Sequence, residues 1–111
     1  MSIQIELQST IADLVVHGKG ILAADESHPT MVKRFKAIDI ESTEESRCAY
    51  RSLLLTTPGL SEFISGVILF EETLGQQTDN GRPLPKVAAD QGIVPGIKVD
   101  KGSPFLGKCV G

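Results

Sequence analysis

Three times along this chain a short, unbroken apolar run stops abruptly on charged residues, and this repeated grammar restricts the fold more than any other feature. The runs are Gly20-Ile21-Leu22-Ala23-Ala24 before Asp25-Glu26-Ser27, Gly66-Val67-Ile68-Leu69-Phe70 before Glu71-Glu72-Thr73, and Ile93 to Val99, interrupted by Pro95-Gly96, before Asp100-Lys101-Gly102. Compact apolar runs of this length read as strands buried on both faces, as in a parallel sheet. The expected strands lie near residues 20 to 25, 65 to 71 and 95 to 100.

The segments between them carry helical spacing. From Ile5 to Val16, Leu7, Ile11, Leu14 and Val15 share one face, and Gly18 follows as a stop. Pro29 suits the first position of a second helix, in which Met31, Phe35 and Ile38 share a face and Lys33, Arg34 and Lys36 supply the charge. Ser42-Thr43-Glu44-Glu45 has the spacing of a capping box, so a third helix is expected to start there, turn Tyr50, Leu53 and Leu54 inward, and end before Pro58-Gly59. After the turn cluster Thr78-Asp79-Asn80-Gly81, Leu84, Val87 and Ala88 are spaced for a short helix. Strand, helices, strand, helix, strand is the βαβ order, so the expected class is α/β, with three parallel strands and intervening helices in one domain.

Charge and cysteine usage exclude several partners. Eleven basic and 14 acidic residues are interspersed, for a formal net charge of -3, so no nucleic-acid or anionic-membrane surface is expected. No run approaches the roughly 20 apolar residues that span a bilayer, and residues 1 to 9 lack the pattern of a secretory leader; a cytoplasmic location is expected. Cys48 and Cys109 form no CxxC pair, and with only His17 and His28 beside them no usual zinc site can be completed. Both read as reduced thiols.

In parallel α/β folds the C-terminal strand ends face the active site, so Asp25-Glu26-Ser27, Glu71-Glu72-Thr73 and Lys98-Val99-Asp100 are the candidate functional clusters. Taken singly, each also reads as a solvated loop start or helix cap. Lys98, flanked by Ile97 and Val99, is sent by period-two alternation to the face that holds Gly96 and Asp100. A lysine on an otherwise buried strand is either an ion-pair partner or a holder of substrate charge. Ser27, Thr30, Lys33 and Arg34 stand at and just inside a helix start, where free amides and an arginine suit a phosphate, or where hydroxyls merely cap and the bases stay wet. Arg47 lies beside acids on its own helix and has Glu44 within reach.

The wording of the runs carries a further reading. Gly18-Lys-Gly-Ile-Leu-Ala-Ala-Asp-Glu-Ser27, Gly66-Val-Ile-Leu-Phe-Glu-Glu-Thr-Leu74 and Val94-Pro-Gly-Ile-Lys-Val-Asp-Lys-Gly102 resemble, in order and at fitting separations, the class I fructose-bisphosphate aldolases, and Glu41-Ser-Thr-Glu-Glu-Ser-Arg-Cys-Ala-Tyr-Arg51 is similar too. The resemblance implies the N-terminal part of a (β/α)8 TIM barrel, with residues 1–111 an incomplete barrel domain holding strands one to three. A whole barrel takes roughly 250 residues. It also implies a lyase without metal or cofactor, cleaving fructose 1,6-bisphosphate to dihydroxyacetone phosphate and glyceraldehyde 3-phosphate through a lysine imine. Such enzymes serve glycolysis and gluconeogenesis and are usually homotetramers.

By the same resemblance, Asp25 matches an aspartate that hydrogen-bonds near the imine and helps proton transfer, and Lys98 an active-site lysine close to the substrate. Ser27 and Arg34 match substrate-phosphate contacts, and Arg47 an arginine associated with substrate binding. His28-Pro29 stands where the family has small, flexible residues, a departure that bears on Ser27. The family's imine-forming lysine and its glutamate acid-base group belong to later strands, and Lys98 is not that nucleophile. This chain alone is therefore expected to be inactive. The alternatives are a non-catalytic segment that associates with other chains through its open sheet edge, and, less favoured, another imine-forming barrel aldolase with a different substrate.

Overall fold

The computed structural model describes residues 2–100. Strands β1 (Gly20–Ala24), β2 (Ile64–Leu69) and β3 (Val94–Ile97) form one sheet in the order β1-β2-β3. Both pairs are parallel, with Ala24 opposite Leu69 and Leu69 opposite Ile97, so the three C-terminal ends lie at one rim. β3 is shorter than its apolar run: it stops at Ile97, leaving residues 98–100 beyond the strand. The reason is its partner. β2 leaves the sheet for a 3-10 turn, Glu71–Gly75, and only the Lys98 N–H, which donates to the Leu69 carbonyl at 2.9 Å, extends the ladder. Among the described residues β3 has β2 as its one neighbour, and an edge position accommodates Pro95.

Helices α3 (Glu44–Leu55) and α4 (Leu84–Asp90) pack on one face of the sheet. Ala24, Val67 and Leu69 meet Leu55, Leu84, Val87, Ala88 and Ile93 there in a single buried cluster. Leu69 and Leu84 are wholly buried, each contributing about 1.5–3 kcal/mol by removal from water. The expected inward set of α4 holds in full.

α3 differs from its expected register by one residue. Its N-cap is Thr43, whose Oγ1 accepts from the Ser46 N–H at 3.0 Å while Ser46 Oγ accepts from the Thr43 N–H at 2.8 Å. The hydroxyl of Ser42, the expected cap, is instead taken by Arg47 Nη1 at 3.0 Å. The helix therefore buries Arg51 and Leu55, one turn apart, and leaves Leu53, expected inside, 68% exposed. The chain leaves α3 through Gly59, whose φ of 78° lies in the left-handed region that glycine enters freely.

α2 (His28–Lys36) begins one residue before Pro29, with Ser27 as its N-cap. Met31 and Phe35 are buried as expected, but the helix ends before Ile38, which stays exposed beside the left-handed Asp39.

α1 (Ile3–Leu14) is capped by Ser2 and lies against the opposite face of the sheet, where the Ser65 hydroxyl donates to the Leu14 carbonyl at 2.6 Å. The end of the Leu14 side chain occupies the space where a Cβ on residue 66 would stand, so Leu14 sits this close to β2 only over a glycine and any larger residue would push it aside. The rest of the anticipated helix face, Leu7, Ile11 and Val15, is open to solvent. On the sheet face beneath it Ile21 is exposed as well, while Gly66 is buried and Ile68 half-buried.

Candidate active site

Alternation along parallel strands decides which rim residues meet. Ala23, Ile68 and Gly96 are register partners on the face away from α3 and α4, and Asp25 and Lys98 follow two residues later in the same phase. The outcome is an ion pair that spans β2. Lys98 Nζ lies 3.4 Å from Asp25 Oδ2 and 3.7 Å from Asp100 Oδ2, and both paired side chains are about three-quarters buried. Two residues 73 positions apart in sequence are thus brought into contact at the C-terminal rim.

Glu26, one residue on, points the other way and is buried among the helices. Its Oε2 accepts from Arg34 Nη1 of α2 and from the Tyr50 hydroxyl of α3 at 3.2 Å. Burial pushes the Tyr50 phenol upward, and the charge and hydrogen bond of Glu26 add to that. Tyr50 also meets Phe35 edge to face, with centroids 5.9 Å apart. Glu26 Oε1 is buried with no hydrogen-bond partner among the described residues. Ser27 makes no capping bond; its hydroxyl lies 3.5 Å from that of Thr30 and remains half-buried at the helix start. Arg34, more than half exposed, stands over the same corner.

The third group gathers around Glu72. Arg47 grips its carboxylate at both oxygens, Nε to Oε1 and Nη2 to Oε2, each at 2.8 Å. Arg51 Nη1 donates to Oε1 at 2.6 Å, and His28 Nε2 lies 3.3 Å from Oε2. The Arg47 hydrogen bonds, more than any other cause, hold the Glu72 carboxyl at about 2 instead of 4.5; burial opposes them and Arg51 adds to them. Arg47 therefore directs its hydrogen bonds to Glu72 and Ser42 and not to Glu44, the partner suggested by helical spacing.

The structure thus joins Asp25 to Lys98 directly, sets Ser27 at the N-cap of α2 but Arg34, expected just inside the helix start, in the last turn of this nine-residue helix, and ties Arg47 to the turn after β2. Glu26 and Glu72, members of the candidate clusters, hold the others in place, and the structure adds Tyr50, Arg51 and Gln76 to the rim in the same capacity. Arg51 has a weak signature in sequence: it lies four residues before Leu55 and four after Arg47 on one helical face.

Parallel strands with crossover helices and charged groups gathered at their C-terminal ends are the architecture of a segment of an α/β barrel, a fold in which that rim carries the active site. The Fructose-bisphosphate aldolase class-I family model matches residues 6–109, and the chain belongs to that family. It is 57% identical to a probable fructose-bisphosphate aldolase class 1 of Xylella fastidiosa over 111 residues, all of this chain and 33% of that protein. It is 60% identical over 97 residues to fructose-bisphosphate aldolase 2 of Plasmodium berghei, covering 87% of this chain and 26% of the relative. A co-crystal structure of fructose-bisphosphate aldolase from Plasmodium falciparum, solved with TRAP and a small-molecule inhibitor, superposes with a TM-score of 0.85 at 52% identity. It covers 92% of this chain and 30% of its own. The chain spans 26% to 33% of the length of these curated relatives.

Proposed function

We propose that residues 1–111 supply the first three strands of a barrel domain, and with them one side of an active site that cleaves fructose 1,6-bisphosphate into two triose phosphates. The observation that carries the reading is the Asp25–Lys98 pair, 3.4 Å apart at the C-terminal rim, in a chain of this family. In this reading Asp25 exchanges protons with the substrate, and Lys98 offers ammonium donors to a substrate oxygen beside it. Ser27, at the start of α2 where free backbone amides and the helix dipole favour an anion, holds a phosphate together with Arg34, whose side chain reaches back to that corner from the last turn of the helix. Arg34 must then leave Glu26 for the phosphate, an exchange that its exposure permits. Arg47 binds substrate from the neighbouring helix. The imine-forming lysine comes from a later strand, as the resemblance implies, and the assembled enzyme is a homotetramer. A cytoplasmic setting suits Cys48, a free thiol.

The test grafts this chain in place of the matching third of the Xylella fastidiosa relative and measures steady-state kinetics. Asp25→Asn should lower kcat about 100-fold with KM little changed, the usual size of a general acid–base contribution. Arg34→Ala should raise KM about tenfold with kcat nearly kept, since a phosphate contact stabilises ground and transition states alike. The opposite assignment of the two effects would refute both roles.

A further inference from the structure

Arg51 is 1% exposed, and its guanidinium is spread across the rim. Nη1 reaches Glu72 Oε1 at 2.6 Å and Gln76 Oε1 at 3.1 Å, and Nη2 reaches the Glu26 carbonyl at 3.2 Å. Its Cζ lies 5.9 Å from the centroid of Phe70. These four partners sit after β1, at the end of β2, and in and after the 3-10 turn. A methionine or leucine could fill the same volume without taking a charge out of water, so packing alone does not account for an arginine here. What a hydrophobic residue could not do is hold the Glu72 carboxylate from the inside.

That carboxylate is clasped from two sides. Arg51 holds Oε1 from the interior, while Arg47 takes both oxygens from the less buried side. With one oxygen fixed, the plane of the carboxylate is fixed, and a bidentate arginine can only lie in that plane. The geometry points to Arg51 as a positioning residue: through Glu72 it sets the orientation in which Arg47 meets the substrate. This rests on the reading that Arg47 binds substrate.

The grafted full-length enzyme supplies the test. Arg51→Met should raise KM for fructose 1,6-bisphosphate about tenfold while kcat stays within threefold, because orientation of a binding group is lost and the reacting groups are untouched. In an Arg47→Ala background the same change should shift KM less than twofold, since nothing is left to orient. Arg51→Lys keeps the charge but cannot reach Glu72, Gln76 and the Glu26 carbonyl together, so it should also raise KM. This variant carries the test if the methionine variant fails to fold. A lysine variant with unchanged KM would mean that charge alone matters, and the positioning role would be overturned. If Arg47→Ala raises KM and Arg51→Met multiplies that increase, the two act independently and the role is again overturned. If Arg47→Ala leaves KM unchanged, the assignment of Arg47 to substrate is what fails, and this inference falls with it.

Discussion

Replacing Glu72 with glutamine removes one negative charge from between two arginines and keeps the shape of the side chain. A carboxyl held at about 2 instead of 4.5 corresponds to roughly 3 kcal/mol of extra interaction in its ionised form. Glu72 retains 18% of its side-chain exposure, and screening at the rim brings the expected cost to about 2 kcal/mol at pH 7. The pH dependence gives a second handle. A carboxyl lowered on folding stabilises fully above its unfolded value near 4.5, and this contribution is lost as pH falls toward 2. The gap between Glu72→Gln and the unmodified chain should therefore shrink from about 2 kcal/mol at pH 7 to about 1 kcal/mol at pH 3. Urea unfolding at low micromolar concentration, followed at both pH values, measures it. A gap below about 0.5 kcal/mol at pH 7, or one that is the same at pH 3, would show that Glu72 is not the counter-charge for these arginines.

Gly66→Ala should cost about 1 kcal/mol in the same unfolding assay, the low end for overpacking, because the end of the partly exposed Leu14 side chain must move out of the way. Most of that cost should disappear in a Leu14→Ala background, and a neutral Gly66→Ala would contradict the packing described. The 111-residue chain by itself should form no imine and should self-associate at tens of micromolar, a range typical of species with open strand edges. β1 and β3 each pair on one side only among the described residues, and Ile21, Ile97 and Val99 are exposed. Incubation with fructose 1,6-bisphosphate and borohydride followed by intact mass checks the first point, and light scattering the second. A stoichiometric triose-phosphate adduct on any lysine would overturn it.

Strands and rim were legible because burial on both faces leaves a contiguous apolar signature, and because period-two alternation predicts which rim residues share a face. Asp25 and Lys98 follow from that alone once the strands are known to be parallel. The ends of elements were less legible, since they depend on which partner is still present. The apolar run of β3 continues past Ile97, but β2 has already turned away. At the start of α3 two adjacent hydroxyls, Ser42 and Thr43, satisfy the same capping pattern. Local sequence does not reveal that Arg47 would claim one of them. Arg51 was hidden for a related reason: a charged residue reads as solvent-facing until its counter-charge, 21 residues away, is placed beside it.

The strands stand in the sheet in the order in which they occur in the chain. A polypeptide leaving the ribosome N-terminus first therefore always presents the next strand with an edge that is already made, and no strand has to be threaded between two others. Growth runs in one direction, and each docking creates the template for the one after it. Arg51 is synthesised before Glu72, so α3 waits with a solvated cation on its inner face until the turn after β2 brings the carboxylate. A buried cation is costly without its counter-charge, so the burial of Arg51 in the finished fold depends on the turn that follows the second strand.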